Sequence, residues 1–277
     1  IGGIDISDAS IVWDDRSSGQ KISINQFRLN SGPVISGEPV ELQLGMTLQN
    51  KEPAVNAKLD LKGVVALDKA AGVVDVSGLK IVLDAAGDAL PGGTVKAVLE
   101  AAIRATLSGS QVDISGLRLN AGELMLSGNL KGEALDRQPV FSGNLDLAEF
   151  NLRKWMGDHS ITLPPMADAN ALTRLSASLN LKGGDGTTRM EDLAVRLDES
   201  RFSGSVTLRG SAIGFDLNLD TIDVDRYLPP AEEKSGQPAT AAVPVSEAGG
   251  ATAAMGEETL LPVETLRQLD IDGVLSI

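Results

Sequence analysis

The chain has 277 residues, a net charge of −14 and no cysteine, and 42% of its residues are hydrophobic. That length and composition can bury a sizeable core, while the lack of cysteine excludes disulfides, thiol catalysis and cysteine-ligated zinc. The acidic excess opposes binding to nucleic acid and electrostatic docking on an anionic membrane surface. Aromatic residues are only 3% of the chain, so any apolar surface must consist mainly of aliphatic side chains.

Alternation of apolar and polar residues is the main pattern along the chain. From residue 40 to 48 every second residue is apolar, and the alternation returns at 57–62, 175–182 and 215–220. A period of two is typical of a β-strand with one dry face and one wet face. Residues 95–107 have a composition that also suits a helix, but their unbroken alternation favours a strand.

Turns and helices are predicted between and beside these strands. Residues that tolerate positive φ separate the alternating runs at 14–19, 30–33, 120–122 and 183–186. Short strands joined by tight turns predict a mainly β fold, an antiparallel meander of about a dozen strands rather than βαβ units. Only two short helices are predicted, at residues 151–156, with Gly157 as a stop, and at residues 262–269, which begin with proline.

Two phrases that contain Ser-Gly recur along the chain. Residues 75–81 resemble residues 113–119, and an apolar residue followed by Ser-Gly opens alternating stretches at 126–130, 141–147 and 202–208. A glycine inside a strand predicts a bulge or bend that curves the sheet. The alternative is that these phrases merely share the composition of strands and turns.

The domain organisation follows from one change in composition. Residues 231–258 are rich in alanine, proline and glycine and have no periodicity, which predicts a flexible linker or long loop. It separates a β domain at 1–230 from residues 259–277, where we expect the truncated start of a following segment. Both ends of the chain have strand-like patterns, so we expect a fragment of a longer protein.

Periodicity leaves two architectures open for the apolar sides of the strands. The sheet folds onto a second sheet and forms a closed core, which periodicity alone favours, or it curls into a trough with an open lining. Helices are too few to cover the sheet. The choice between these architectures decides whether the apolar side is a core or a binding surface.

Several short phrases, each a strand pattern with one or two marker residues, occur in a fixed order. They lie at residues 5–14, 150–153, 163–165, 167–172, 190–198, 202–204, 215–223, 225–229 and 261–269. Their order resembles the AsmA family of bacterial envelope proteins, and the most specific phrase is Asp-Arg-Tyr-Leu-Pro at 225–229. That family is related to the repeating β-groove lipid-transfer proteins. The resemblance therefore implies a curved antiparallel sheet that forms an open apolar groove.

The resemblance also implies a cellular role. It places the chain in the periplasm, within a parent protein held in the inner membrane by an N-terminal helix that this sequence lacks. It implies that the protein supports outer-membrane lipid homeostasis and biogenesis. The expected ligand is a phospholipid or another acyl-chain lipid, and inner- and outer-membrane proteins are further candidate partners. The alternative hypothesis is a structural module without lipid that assists outer-membrane protein assembly.

The candidate site is the apolar face of the predicted strands. An acyl chain placed there would leave water with a gain of about 0.8 kcal/mol per CH₂ group. The candidate groove residues are Leu42, Leu44, Met46, Leu48, Leu59, Leu61, Leu99, Ile103, Leu117, Leu119, Leu145, Leu147, Leu179, Leu181, Val206, Leu208, Leu217 and Leu219.

Catalysis and cofactor binding are not expected. The single histidine, His159, lies in a polar context and is interpreted as a loop residue, and no nucleophile motif surrounds any serine. Asp220, Asp223 and Asp225 have a spacing that could hold calcium, but the EF-hand pattern is missing. We therefore interpret them as solvated turn carboxylates or helix caps.

Overall fold

The computed structural model describes residues 2–15, 20–33, 35, 37–230 and 270–277, and they form a single open sheet. It has 14 strands, and their order in the sheet is their order in the chain. The strands are β1 (Ile4–Asp15), β2 (Gln20–Ser31), β3 (Pro39–Lys51), β4 (Ala54–Asp68), β5 (Val73–Gly87), β6 (Thr94–Thr106), β7 (Gln111–Ala121), β8 (Leu124–Glu133), β9 (Val140–Phe150), β10 (Leu175–Gly184), β11 (Thr187–Leu197), β12 (Ser200–Arg209), β13 (Ala212–Leu219) and β14 (Asp270–Ser276). The predicted mainly β, antiparallel meander is confirmed.

Strand pairing has one exception to the antiparallel rule among the described strands. β13 and β14 run parallel, with Ala212 opposite Asp270 and Asn218 opposite Ser276. The strand-like pattern predicted at the C-terminal end of the sequence is confirmed by β14, and this strand joins the same sheet. The interpretation of residues 95–107 as a strand is also confirmed by β6. The predicted linker at 231–258 lies outside the described residues.

The helix predicted at residues 151–156 is present as α1 (Leu152–Asp158). Asn151 caps its N-terminus, because the Asn151 side chain accepts a hydrogen bond of 2.8 Å from the Lys154 N–H. The stop predicted at Gly157 is wrong. Gly157 lies inside the helix and His159 is its C-cap, where the His159 N–H donates to the Trp155 carbonyl at 3.1 Å.

The other helical elements are short. Two 3-10 turns span Pro91–Gly93 and Val224–Arg226. The second predicted helix, at 262–269, lies outside the described residues. In the part of the chain that the structure describes, no helix is long and apolar enough to cross a membrane.

The first Ser-Gly phrase forms β-bulges, as predicted. Gly78 in β5 and Gly116 in β7 have φ angles of 58° and 60°, in the left-handed region that glycine adopts without strain. Gly78 lies where the pairing register shifts between Val76 and Leu79. Gly116 lies where it shifts between Ile114 and Leu117. Such bulges increase the local twist and bend the strand.

The second Ser-Gly phrase behaves differently: it forms no bulge in its own strands, and the bend, the other form of the prediction, stays a prediction. Gly128, Gly143 and Gly204 add no extra residue to their own strands. A Cβ at Gly204, whose φ is +143°, would collide with the Asp216 carbonyl oxygen of the next strand, and the other two glycines face similar carbonyls. These positions require glycine because adjacent backbones approach closely.

No second layer covers the sheet among the described residues. Every extensive contact between strands joins neighbours within the sheet. Buried hydrophobic side chains are correspondingly few and include Val40, Ala85, Ala101, Phe150 and Leu219. The closed sandwich that periodicity alone favoured is not the architecture of the described residues, because each meander strand pairs with the next and the sheet does not fold back.

Candidate functional site

The pairing register shows that the apolar sides of successive strands form one continuous face. Residues directly opposite each other in neighbouring strands point to the same side of a sheet. One row, which we call the central row, crosses β1 to β13. Its members, in strand order, are Ile6, Leu29, Leu44, Leu61, Ile81, Leu99, Leu119, Leu126, Leu147, Ala177, Val195, Phe202 and Leu219. At ~4.8 Å between strands the row is roughly 55–60 Å long.

A second row, the lower row, runs beside the central row from β3 to β14. Its members are Val40, Val65, Val76, Ile103, Ile114, Leu130, Gly143, Leu181, Met190, Val206, Phe215 and Gly273. Neither row contains a charged or hydrogen-bonding side chain. We call the side of the sheet that carries these rows the apolar face, and the opposite side the polar face.

The register places every predicted groove residue on the apolar face. Six lie in the central row: Leu44, Leu61, Leu99, Leu119, Leu147 and Leu219. Three lie in the lower row: Ile103, Leu181 and Val206. Between the rows lie Leu42, Leu117, Leu145, Leu179 and Leu217, and outside them lie Met46, Leu48, Leu59 and Leu208.

Sequence reasoning missed about half of the central row. The residues that it did not select are Ile6, Leu29, Ile81, Leu126, Ala177, Val195 and Phe202. A bulge shifts the alternation by one residue, so Val76 and Leu79 share a face although they are three apart. The repeated Ser-Gly phrase was the signal that could have located this shift.

The apolar face is crowded, and away from the upper rim it is uncovered by the described residues. Of the central row only Leu219 is buried, at 4% exposure; Ile6 is 38% exposed and the others are half-buried. Surrounding side chains on the same face of the sheet account for this partial burial, as two alanines in β5 show. Ala85 on the apolar face is 5% exposed, whereas Ala86 on the polar face is exposed. An alanine is too short to cover itself, so its burial reports the side chains around it.

The polar face carries ion pairs between neighbouring strands. Lys80 of β5 donates to Glu100 of β6 at 2.9 Å, and Arg104 of β6 donates to Asp75 of β5 at 3.0 Å. The hydrogen bond from Lys80 is the main cause of the lowered pKa of Glu100. These pairs keep the polar face hydrated, since charged side chains lose solvation when buried.

Hollows are also present on the polar face. One of about 650 Å³ is lined by residues that include Arg28, Asp60 and Lys62, and one of about 600 Å³ by residues that include Ser178 and Arg201. Central-row residues also contribute to their lining, among them Leu44 and Leu61 in the first hollow and Ala177 and Phe202 in the second. Because charged side chains of the polar face share the lining, we take the apolar face, rather than these hollows, as the candidate site for an apolar ligand.

One rim of the sheet carries α1 and a buried carboxylate. This upper rim is where β9, β11 and β13 end. Asp198, 1% exposed, accepts hydrogen bonds from the N–H groups of Leu172 (2.8 Å), Thr173 (2.9 Å) and Arg174 (3.1 Å) and from the Tyr227 hydroxyl (2.9 Å). Burial alone would raise the pKa of Asp198, but these hydrogen bonds outweigh it and hold the pKa below its usual range. Burial, together with the Asp198 carboxylate, raises the pKa of Tyr227 to about 12.

Ion pairs beside Asp198 hold the same segments together. Arg226 donates to Asp168 at 2.7 Å and also pairs with Glu199. These two carboxylates, Glu199 foremost, raise the pKa of Arg226. We call Asp168, Asp198, Glu199, Arg226 and Tyr227 the clasp. It joins the loop before β10, the β11–β12 turn and the segment after β13.

The clasp covers the apolar face along the upper rim. Ser200 and Leu219, on the apolar face, are each 4% exposed. Their chain neighbours Arg201 and Asn218, on the polar face, are exposed. Phe150 is likewise 8% exposed on the apolar side. The covering segments therefore lie on the apolar side of the sheet and form a wall at this rim.

Helix α1 extends this wall. Trp155 packs edge-on against Phe150, with ring centroids 6.4 Å apart, and stacks on His159 at 4.4 Å. Nδ1 of His159 lies 2.7 Å from the Trp155 carbonyl oxygen. A carbonyl only accepts hydrogen bonds, so Nδ1 carries the proton. His159 thus caps the helix and packs on an aromatic ring.

Asp220, the first residue of the acidic cluster whose spacing could hold calcium, has a local structural role. An oxygen of the Asp220 carboxylate accepts hydrogen bonds from the N–H groups of Arg201 (2.8 Å) and Thr221 (2.6 Å). The bond from Arg201 is the main cause of the lowered pKa of Asp220. Across the described ranges, no group of three or more metal-binding side chains is placed to hold an ion.

Comparisons with known proteins identify no relative of this chain. No protein-family model matches the sequence, no curated protein matches it, and no solved structure matches its fold. The functional argument therefore rests on the apolar face itself.

Proposed function

We propose that this chain binds the acyl chains of phospholipids along its apolar face, as the periplasmic part of an AsmA-like envelope protein. The observation that carries this proposal is the central row, a line of apolar side chains across thirteen neighbouring strands that no second layer covers in the described part of the chain. Uncovered apolar surface of this extent marks a binding surface in a water-soluble domain. Hydrocarbon is the ligand that such a surface suits.

The chemistry of the face favours sliding over fixed binding. An acyl chain that lies along the central row gains about 0.8 kcal/mol for each methylene removed from water. Neither row offers a hydrogen-bond partner that would fix the position of a headgroup. A lipid can therefore move along the rows at little cost, as a protein that conducts phospholipid requires.

The cellular setting of the proposal comes from the resemblance to the AsmA family. The parent protein would be anchored in the inner membrane, with this chain in the periplasm. There it would supply or remove phospholipid in support of outer-membrane lipid homeostasis and biogenesis. Inner- and outer-membrane proteins are the partners that this setting requires.

Lipid analysis of the purified chain tests the proposal. Native mass spectrometry and organic extraction should reveal co-purified phospholipid, and a fluorescent fatty acid should bind to delipidated protein. A folded protein that contains no lipid and binds no fatty acid would refute it.

A second candidate function is an envelope assembly module that recruits proteins through its sheet edges. Edge strand β1 favours it, because Val12 on its polar face is 57% exposed and a strand edge can pair with another strand. Failure of both lipid assays, together with loss of a partner protein in a Val12→Lys variant, would favour this function instead.

A further inference from the structure

The rim opposite the clasp, which we call the lower rim, is built as one continuous edge. In its central part, three turns connect β4 to β5, β6 to β7 and β8 to β9. The Leu107 N–H donates to the Gly72 carbonyl at 2.8 Å, and the Leu135 N–H donates to the Ser110 carbonyl at 3.1 Å. These hydrogen bonds tie each turn to the next, so the three turns form a fixed edge.

Apolar side chains project from this edge into solvent. Leu107 is 63% exposed, Leu135 is 47% exposed and Phe141 is 37% exposed. These values exceed those of the half-buried side chains inside the apolar face. Val224 and Leu228 at the upper rim are 51% and 50% exposed, so exposure alone does not distinguish the two rims, and the position and charge of each rim decide between them.

The exposed side chains are continuous with the apolar face. Leu135 lies over Gly132, since a Cβ at Gly132 would be 3.0 Å from the Leu135 side chain, and the ring of Phe141 lies over Gly183. Both glycines belong to the apolar face by register. An acyl chain that contacts Leu135 or Phe141 therefore already lies at the margin of the apolar face.

The two rims differ in what a lipid would meet there. At the upper rim the clasp and α1 cover the apolar face, and the clasp consists of paired charges. At the lower rim the β8–β9 turn carries the Asp136–Arg137 ion pair, and the β4–β5 turn carries Asp68 and Lys69. The β6–β7 turn between them, Leu107 to Ser110, contains no charged side chain. A hydrocarbon chain would cross this turn without displacing an ion pair, which favours the lower rim for passage.

We propose that phospholipid enters and leaves the apolar face sideways, over the β6–β7 turn of the lower rim, while this rim contacts a bilayer surface. This inference rests on the proposed function. The net charge of −14 repels anionic lipid, so the surface that the rim contacts is predominantly zwitterionic. Entry from the side does not require a bilayer to reach either end of the sheet.

The test uses a Leu107→Ser variant and vesicles of phosphatidylcholine that contain a self-quenched fluorescent phospholipid. Uptake from vesicles should slow about ten-fold, because the Leu107 side chain contributes aliphatic contact with the bilayer. Binding of a monomeric fluorescent fatty acid should keep its dissociation constant. The matched control is Leu228→Ser at the upper rim, where the side chain is 50% exposed; its uptake rate should not change.

The outcomes separate this inference from the proposed function. Uptake by the lower-rim variant at the wild-type rate would overturn lateral entry, as would an equal slowing in the upper-rim control. Loss of fatty-acid binding in the folded lower-rim variant would also overturn it, because Leu107 would then be part of the binding face. Failure of the unmodified protein to bind the fatty acid would instead refute the proposed function.

Discussion

The strongest test of the apolar face is a charge placed in its central row. Leu44 of β3 is half-buried and lies between Leu29 and Leu61 in neighbouring strands. Its chain neighbour Gln43 is exposed on the polar face, opposite Lys62. The substitutions Leu44→Asp and Gln43→Asp introduce the same charge on opposite faces of one strand and therefore form a matched pair.

The spacing of the strands sets the expected size of the effect. One strand spacing of ~4.8 Å spans about four methylenes of an extended acyl chain, and losing contact with them costs about 3 kcal/mol at ~0.8 kcal/mol each. That corresponds to binding about 100-fold weaker. Leu44 is only half-buried, so Leu44→Asp should lower the free energy of unfolding by no more than about 2 kcal/mol.

The dissociation constant of a fluorescent fatty acid, measured with delipidated protein, reports the loss of affinity in each variant. Urea unfolding reports the stability of each variant. Leu44→Asp should bind about 100-fold more weakly, while Gln43→Asp should bind like the wild type. A folded Leu44→Asp protein that binds as tightly as Gln43→Asp would refute the assignment of the apolar face. Leu179→Asp, between the two rows, should behave like Leu44→Asp.

The clasp and the strand glycines yield further predictions. Asp198→Asn should lower the free energy of unfolding, measured in urea, by about 2–3 kcal/mol, because the amide NH₂ group of asparagine would face hydrogen-bond donors. The control is Asp192→Asn at an exposed position, which should change the free energy of unfolding little. The folded pKa of Asp198 lies below its ordinary value of 3.8, so its stabilisation is full above that value and is lost as the pH falls through the folded pKa. The unfolding free energies of wild type and Asp198→Asn should therefore converge in acid, and parallel curves would contradict the assignment. Gly204→Ala should destabilise the protein by about 2 kcal/mol or more through its collision with the next strand, while Gly157→Ala, with open space around it, should raise the melting temperature slightly.

The strands and their faces could be predicted from sequence because alternation encodes them locally. A meander of tight turns keeps the same side of each strand on the same side of the sheet, so residues as distant as Leu42 and Leu217 share a face. Bulges that lack glycine could not be located. Gln26 and Asp192 have φ angles of 53° and 49°, and neither residue marks a left-handed position as glycine does.

Contacts between distant segments could not be predicted. Arg226 and Asp168 are 58 residues apart, and Asp198 satisfies backbone groups of a loop that precedes it by more than twenty residues. Alternation specifies which side of a strand is apolar but not its pairing partner, so the parallel addition of β14 also had no sequence signal. The same limit applies to the wall at the upper rim, whose position depends on these contacts.

The uncovered apolar face carries a consequence that does not depend on the identity of the lipid. Charges on the polar face and the net charge of −14 favour solubility, but they do not remove the gain from burying two rows of aliphatic side chains. When no lipid occupies the face, the remaining way to bury it is against a second copy. Delipidated protein should therefore form dimers or larger assemblies in light scattering, and added phospholipid should return it to the monomer. Delipidated protein that stays monomeric while still binding fatty acid would mean that the face is already shielded, and the physical argument for an open face would then fail.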